Sequence, residues 1–145
     1  MKGEPVPTED HISRYCSPTK CTEKGIVTGT AFQFSKPHEY LSVNWLEYLQ
    51  QANRQDKIQE VRRVLSSKLT LSSKGKIAVL NVGDIIKHVF KKSPDNRVLN
   101  ILHEPEENDP SHSGIYGFKH DDLLISYLIA EAILETYPAQ SPVSV

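Results

Sequence analysis

The feature that most constrains this chain is residues 76–82, Lys-Ile-Ala-Val-Leu-Asn-Val, where apolar side chains follow one another without polar alternation. A strand with one wet face alternates, so this run predicts a strand buried on both faces. Gly83-Asp84 ends it, and Ile85, Ile86, Val89 and Phe90 fall on one side of a short amphipathic helix. Lys91 and Lys92 complement the negative end of that helix. Ser93-Pro94-Asp95-Asn96 stops it, and Val98-Leu-Asn-Ile-Leu102 re-extends. Strand, helix and strand within residues 76–102 predict a βαβ unit with a right-handed crossover and two parallel strands. The expected fold is therefore a single compact α/β domain, a mixed sheet with one central βαβ unit.

The flanking elements follow from the same periodicities. Residues 11–16 predict a short strand, and residues 26–34 a second one in which Gly29 marks a bulge or the true start. Leu41 and Ser42 read as extended, with Ser42 or Asn44 capping a short helix to about Gln51. Ile58, Val61, Val64 and Leu65 make one stripe of a helix over residues 56–68. Residues 115–118 suggest a last short strand, and Asp121 or Asp122 a cap for a long C-terminal helix over residues 122–137, apolar around most of its circumference. Residues 1–10 are expected to be a flexible lead-in, 11–137 the domain and 138–145 a loose tail.

At 145 residues, 38% hydrophobic and 24% charged, the chain has enough apolar material for one core and too little length for two comfortable domains. It contains no apolar run of about 18 residues and no apolar signal region at its start, so a cytoplasmic protein without membrane contact is expected. Two cysteines, Cys16 and Cys21, fit reduced thiols. The net charge of −1 conceals an asymmetry: residues 54–97 carry eleven basic and four acidic groups, and residues 98–145 one basic and eight acidic. If these segments pack together their fields cancel; if they diverge, a basic face is free for nucleic acid or an acidic partner.

Site-capable chemistry concentrates in residues 103–117, His-Glu-Pro-Glu-Glu-Asn-Asp-Pro-Ser-His-Ser-Gly-Ile-Tyr-Gly. In an α/β sheet, ligands sit where loops leave the carboxyl ends of strands, so residues 81–84 and 103–117 are expected on one side. His11, Arg14, His103 and His112 are the candidate catalytic set, because a histidine pair with an arginine can move protons and stabilise an anionic transition state on phosphate, nucleotide or RNA substrates. Ser42, Asn44, Glu104, Asp109, Ser111 and Ser113 are candidate binding residues. The plainer alternative pairs Arg14 with Glu104, Glu106 or Glu107 and lets His112 bond backbone in its own turn.

His11, Cys16 and Cys21, with His103, Asp109 and His112, offer zinc-compatible atoms, but their spacing matches no metal motif and Pro105 forbids an H-E-x-x-H helix. No metal or cofactor is expected. Arg54, Lys57, Arg62, Arg63 and Lys68 on one helix, with Lys87, Lys91 and Lys92 on another, could meet phosphates, although no aromatic interleaves with them.

His11-x-Ser-Arg-Tyr-Cys16, Leu41-Ser-Val-Asn-Trp-Leu-Glu-Tyr48, Leu102-His-Glu-Pro105 and Asp109-Pro-Ser-His-Ser-Gly-Ile115 resemble a family of small, uncharacterised, single-domain bacterial proteins. The resemblance spans about residues 10–137; it implies a free-standing bacterial domain and brings no activity with it. The leading expectation is a non-enzymatic binding or accessory component acting with a protein partner, an operon product as in defence-type systems, or with a second copy of itself. The alternatives are the His/Arg enzyme and a nucleic-acid binder.

Overall fold

The computed structural model describes residues 2–141. Six strands form one sheet: β1 (His11–Cys16), β2 (Leu41–Trp45), β3 (Lys76–Asn81), β4 (Asn100–His103), β5 (His112–Tyr116) and β6 (Ile133–Pro138), in spatial order β4-β5-β2-β1-β3-β6. Three α-helices accompany it: α1 (Arg54–Ser66), α2 (Val82–Lys92) and α3 (Leu123–Glu131). Short 3-10 turns occupy Pro18–Lys20, Gly29–Phe32 and Leu46–Tyr48.

The apolar run of β3 is central, with Ile77, Ala78, Val79 and Leu80 all at 0% exposure. Its alternate residues feed two cores. Ala78 and Leu80 join Ile12, Val43, Ile115, Val89 and Ile129 under α2 and α3, whereas Ile77 and Val79 join Ile58, Val61 and Leu65 of α1. Each such aliphatic side chain contributes about 1.5–3 kcal/mol by leaving water. Asn53 and Asn81 cap α1 and α2, their side-chain oxygens each accepting an N–H three residues on at 2.9 Å.

The mixed sheet and central βαβ unit are corrected: every pairing in the sheet is antiparallel. Four successive antiparallel pairings do leave β3 and β4 pointing the same way, and α2 does connect them. But β1, β2 and β5 lie between the two strands, because β1 takes one edge of β3 over six residues and β6 takes the other.

The long C-terminal helix is corrected as well. It stops at Glu131, and residues 133–138 form an edge strand on β3. Helix and strand placed end to end mimic a helix apolar all round; within the second half, Ile133, Glu135 and Tyr137 are partly covered while Leu134, Thr136 and Pro138 are exposed, a period of two. Pro138, which lacks an N–H, is tolerated at a sheet edge.

Elsewhere, the expected strand over residues 26–34 is a single bridge, Cys21 to Val27, followed by a 3-10 turn. Gly29 lies directly beneath the Tyr127 ring, where an added Cβ would sit 2.1 Å from Cδ1, so tertiary packing sets this backbone. The expected helix after Ser42 is instead β2 continuing to Trp45 and one 3-10 turn. Residues ahead of β1 are hydrogen-bonded along β4, Gly3 and Val6 donating to the carbonyls of His103 and Ile101. Ala139 donates to Gly75, and residues 142–145 of the expected tail lie outside the described residues.

The basic middle and acidic C-terminal third are joined by ion pairs: Arg54–Glu135, Lys68–Glu106, Lys68–Asp109 and Arg97–Asp122. The two basic helices, α1 and α2, cover opposite faces of the sheet. Among the described residues no helix is long and apolar enough to cross a membrane.

Candidate functional site

Helix α1 covers the β1-β3-β6 half of its face and leaves the β2-β5 half bare. A cavity of about 720 Å³ opens there, lined by Ser13, Arg14 and Tyr15 of β1, Ser42 and Asn44 of β2 with Tyr40 just ahead of it, and His112 of β5. Leu65 of α1 with Lys68 and Leu69 just beyond its end, Glu106 and Asp109, and residues Lys20, Gln33, Phe34, Ser35 and His38 complete the wall. This volume lies in the range of small-molecule sites.

Register explains which residues meet. Asn44 stands opposite His112, and Ser42 opposite Gly114, so the side chains of Ser42, Asn44 and His112 share one face. His103 stands opposite Ser113, one residue along from His112, and therefore points through the other side of the sheet. There its Nε2 lies 2.7 Å from the Pro110 carbonyl and its ring packs against Trp45 and Tyr48. His11 sits at the start of β1, held by Glu47, whose carboxylate takes both its backbone N–H and Nδ1 at 2.7 Å. Of the four histidine and arginine candidates, only Arg14 and His112 line the same cavity.

The binding candidates gather more closely. Asn44 Nδ2 donates to Asp109 Oδ1 at 2.7 Å and to Ser111 Oγ at 2.9 Å. Asp109 is wholly buried, and Lys68 Nζ reaches its Oδ2 at 2.6 Å and Glu106 at 2.7 Å. Burial works against the charge on Lys68, but these bonds outweigh it and raise its pKa, while the same contact lowers that of Glu106. Ser113 faces away with His103, its hydroxyl bonded to the Ser111 carbonyl. Glu104 acts through two atoms: its carboxylate accepts from the Tyr116 hydroxyl, and its carbonyl lies 2.8 Å from His112 Nδ1.

Arg14 pairs with none of the glutamates named for it. Its Nε donates to the Ala31 carbonyl at 3.0 Å, Nη1 to Ser42 at 2.9 Å and Nη2 to Gln33 at 3.4 Å. Among the described residues the guanidinium has no carboxylate partner, and burial pulls its pKa below the ordinary value. Of its five N–H groups, one on each Nη is left over. Nearby Ser13, 1% exposed, has a hydroxyl with no hydrogen-bond partner among the described residues.

Ser13 and Tyr40 belong to this cavity and were not singled out from sequence, whereas Lys68 was named only among the basic residues of its helix and Glu106 only as a partner for Arg14. Ser13 was legible in principle, since it alternates with Ile12 and Arg14 in β1; Lys68 reads as one more solvated charge until Asp109 is folded beneath it. Among the described residues no group of three or more His, Cys, Asp or Glu side chains is placed to hold a metal ion. Comparison with protein-family models, curated proteins and solved structures gives no match.

Proposed function

We propose that this protein is a binding domain for a small anionic molecule, a carboxylate or phosphate, seated in the cavity over β1, β2 and β5. The observation that carries this reading is the Arg14 guanidinium: it is partly buried, bonded among the described residues to backbone carbonyls alone, and retains one unbonded N–H on each Nη. A buried charge without a counter-charge is costly, and a bound anion would supply one. Of the other cations on the wall, Lys68 is already held by Asp109 and Glu106, and Lys20 adds a further positive charge facing the same cavity. The Ser13 hydroxyl offers a further unspent donor.

Calorimetric titration with inorganic phosphate, nucleoside monophosphates and short dicarboxylates tests the proposal. At least one should bind, and Ser13→Ala should bind it roughly 10–100-fold more weakly, the worth of one hydrogen bond to a charged group. Failure of the whole panel, or equal affinity in Ser13→Ala, would overturn it. Ser13→Ala should not destabilise the free protein, because the hydroxyl has no partner to lose.

The accessory-protein reading has its own supporting observation. Leu123, Leu124 and Tyr127 of α3 are each about half exposed, an apolar patch suited to a second copy of the chain. Sedimentation as a dimer that Leu124→Glu converts to monomer is its expected result, and a wild-type monomer at high concentration counts against it. The nucleic-acid reading draws less support, since α1 and α2 carry their lysines and arginines on opposite faces.

A further inference from the structure

We propose that Ser42 and His112 form a nucleophile and base pair, making the cavity a site for acyl transfer from small carboxylic esters; this rests on the anion-binding reading above, the carboxylate product being the anion at Arg14.

The geometry is specific about roles. A carbonyl oxygen only accepts, so the contact between His112 Nδ1 and the Glu104 carbonyl at 2.8 Å places the proton on Nδ1 of the neutral ring. Nε2 is then an acceptor, and the Ser42 hydroxyl, 3.2 Å away, donates to it. That is the constellation of a serine activated by a base, with the base oriented by a third group, here a main-chain carbonyl. His112 is 5% exposed and flanked by the Tyr40 ring at 5.9 Å, which limits its rotation. Ser42, by contrast, is exposed and lines the cavity, so its hydroxyl is open to a substrate. Arg14, whose Nη1 donates to the Ser42 main-chain carbonyl, lines the same cavity and supplies its positive charge to an anionic product.

In the first step Ser42 Oγ bonds to the ester carbonyl carbon and its proton passes to His112 Nε2. The ester C–O bond then breaks, and the departing alkoxide takes that proton and leaves as the alcohol. A water molecule next attacks the acyl-serine and gives a proton to Nε2; the Oγ–carbon bond breaks, Ser42 recovers its proton, and the carboxylic acid ionises to the carboxylate.

The test is a serine-directed fluorophosphonate probe, read by intact mass and peptide mapping, on wild type, Ser42→Ala and His112→Gln. The expected result is one adduct, on Ser42, absent in Ser42→Ala and forming roughly 100-fold more slowly in His112→Gln, the usual worth of a general base. An unlabelled Ser42 in folded wild type overturns the proposal whether or not the His112 variant folds, and equal labelling rates in a folded His112→Gln overturn it too. Succinate titrated into wild type and Ser42→Ala separates the two readings. Binding without labelling removes the nucleophile and leaves the anion site; an absence of anion binding removes the anion site and, with it, this proposal.

Discussion

Replacing Lys68 by methionine isolates the buried pair that ties the end of α1 to residues 104–111. Lys68 Nζ lies 2.6 Å from Asp109 Oδ2, and the side chains are 30% and 1% exposed. Removing one partner of a fully buried pair costs about 3–5 kcal/mol, because the remaining charge is left without compensation. Here Asp109 keeps the Asn44 amide at 2.7 Å, and a third of Lys68 is open, so water can approach the place it leaves. The expected cost is therefore about 2–3 kcal/mol, against a total stability of roughly 7–20 kcal/mol for a domain of this size. With a urea slope of about 2 kcal/mol per molar, the midpoint should fall by about 1–1.5 M. The double variant Lys68→Met with Asp109→Asn should recover much of the loss, giving a coupling energy of about 2 kcal/mol in a double-mutant cycle. A single-variant cost under about 0.5 kcal/mol, or strict additivity in the cycle, would refute the claim that this pair holds the cavity wall.

Two glycines should respond differently to alanine. At Gly114 a Cβ would lie 2.4 Å from Tyr40, whose ring also packs against Tyr116 and His112, so Gly114→Ala should cost about 1–3 kcal/mol; at Gly29 the obstructing Tyr127 ring is half exposed and can swing away, so urea melts should show the smaller loss there. Burial pushes the Cys16 thiol up to about 12, and its side chain is inaccessible, so iodoacetamide should alkylate the partly exposed Cys21 well before Cys16; equal rates would contradict the packing. The hydrogen bond from Lys68 holds the Glu106 carboxyl below its ordinary 4.5, so its contribution is present above that value and lost as pH falls through the depressed one. Urea melts on the acid side should therefore lose stability less steeply in Lys68→Met than in wild type, and identical slopes would count against the pairing.

The parts of this fold legible in the sequence are those whose signal is local. The stripe of Ile58, Val61, Val64 and Leu65, the run through β3 and the alternation in β1 each report their own burial. Strand order is not local: β3 and β4 look like parallel neighbours until the pairing of β1 with β3 is known. Strand β5 was the hardest to see, because it is buried through polar groups, with His112 and Ser113 both inside the protein. Its register also decides the site. Ser42, Asn44, Asp109, Ser111 and His112 converge because Asn44 faces His112 across the strands, whereas His103, nine positions away in sequence, lies beyond the sheet. Nearness in the chain misplaced it, and the period of two puts it right.

Nuclear magnetic resonance of the arginine side chains, with inorganic phosphate or succinate titrated in, reads the anion site at Arg14 itself. Saturable shifts are expected in the Arg14 Nε and Nη resonances at one anion per chain, with the rings of His11 and His103 unmoved. Shifts confined to the lysines of α2, or an Arg14 signal indifferent to every anion, would contradict the proposal.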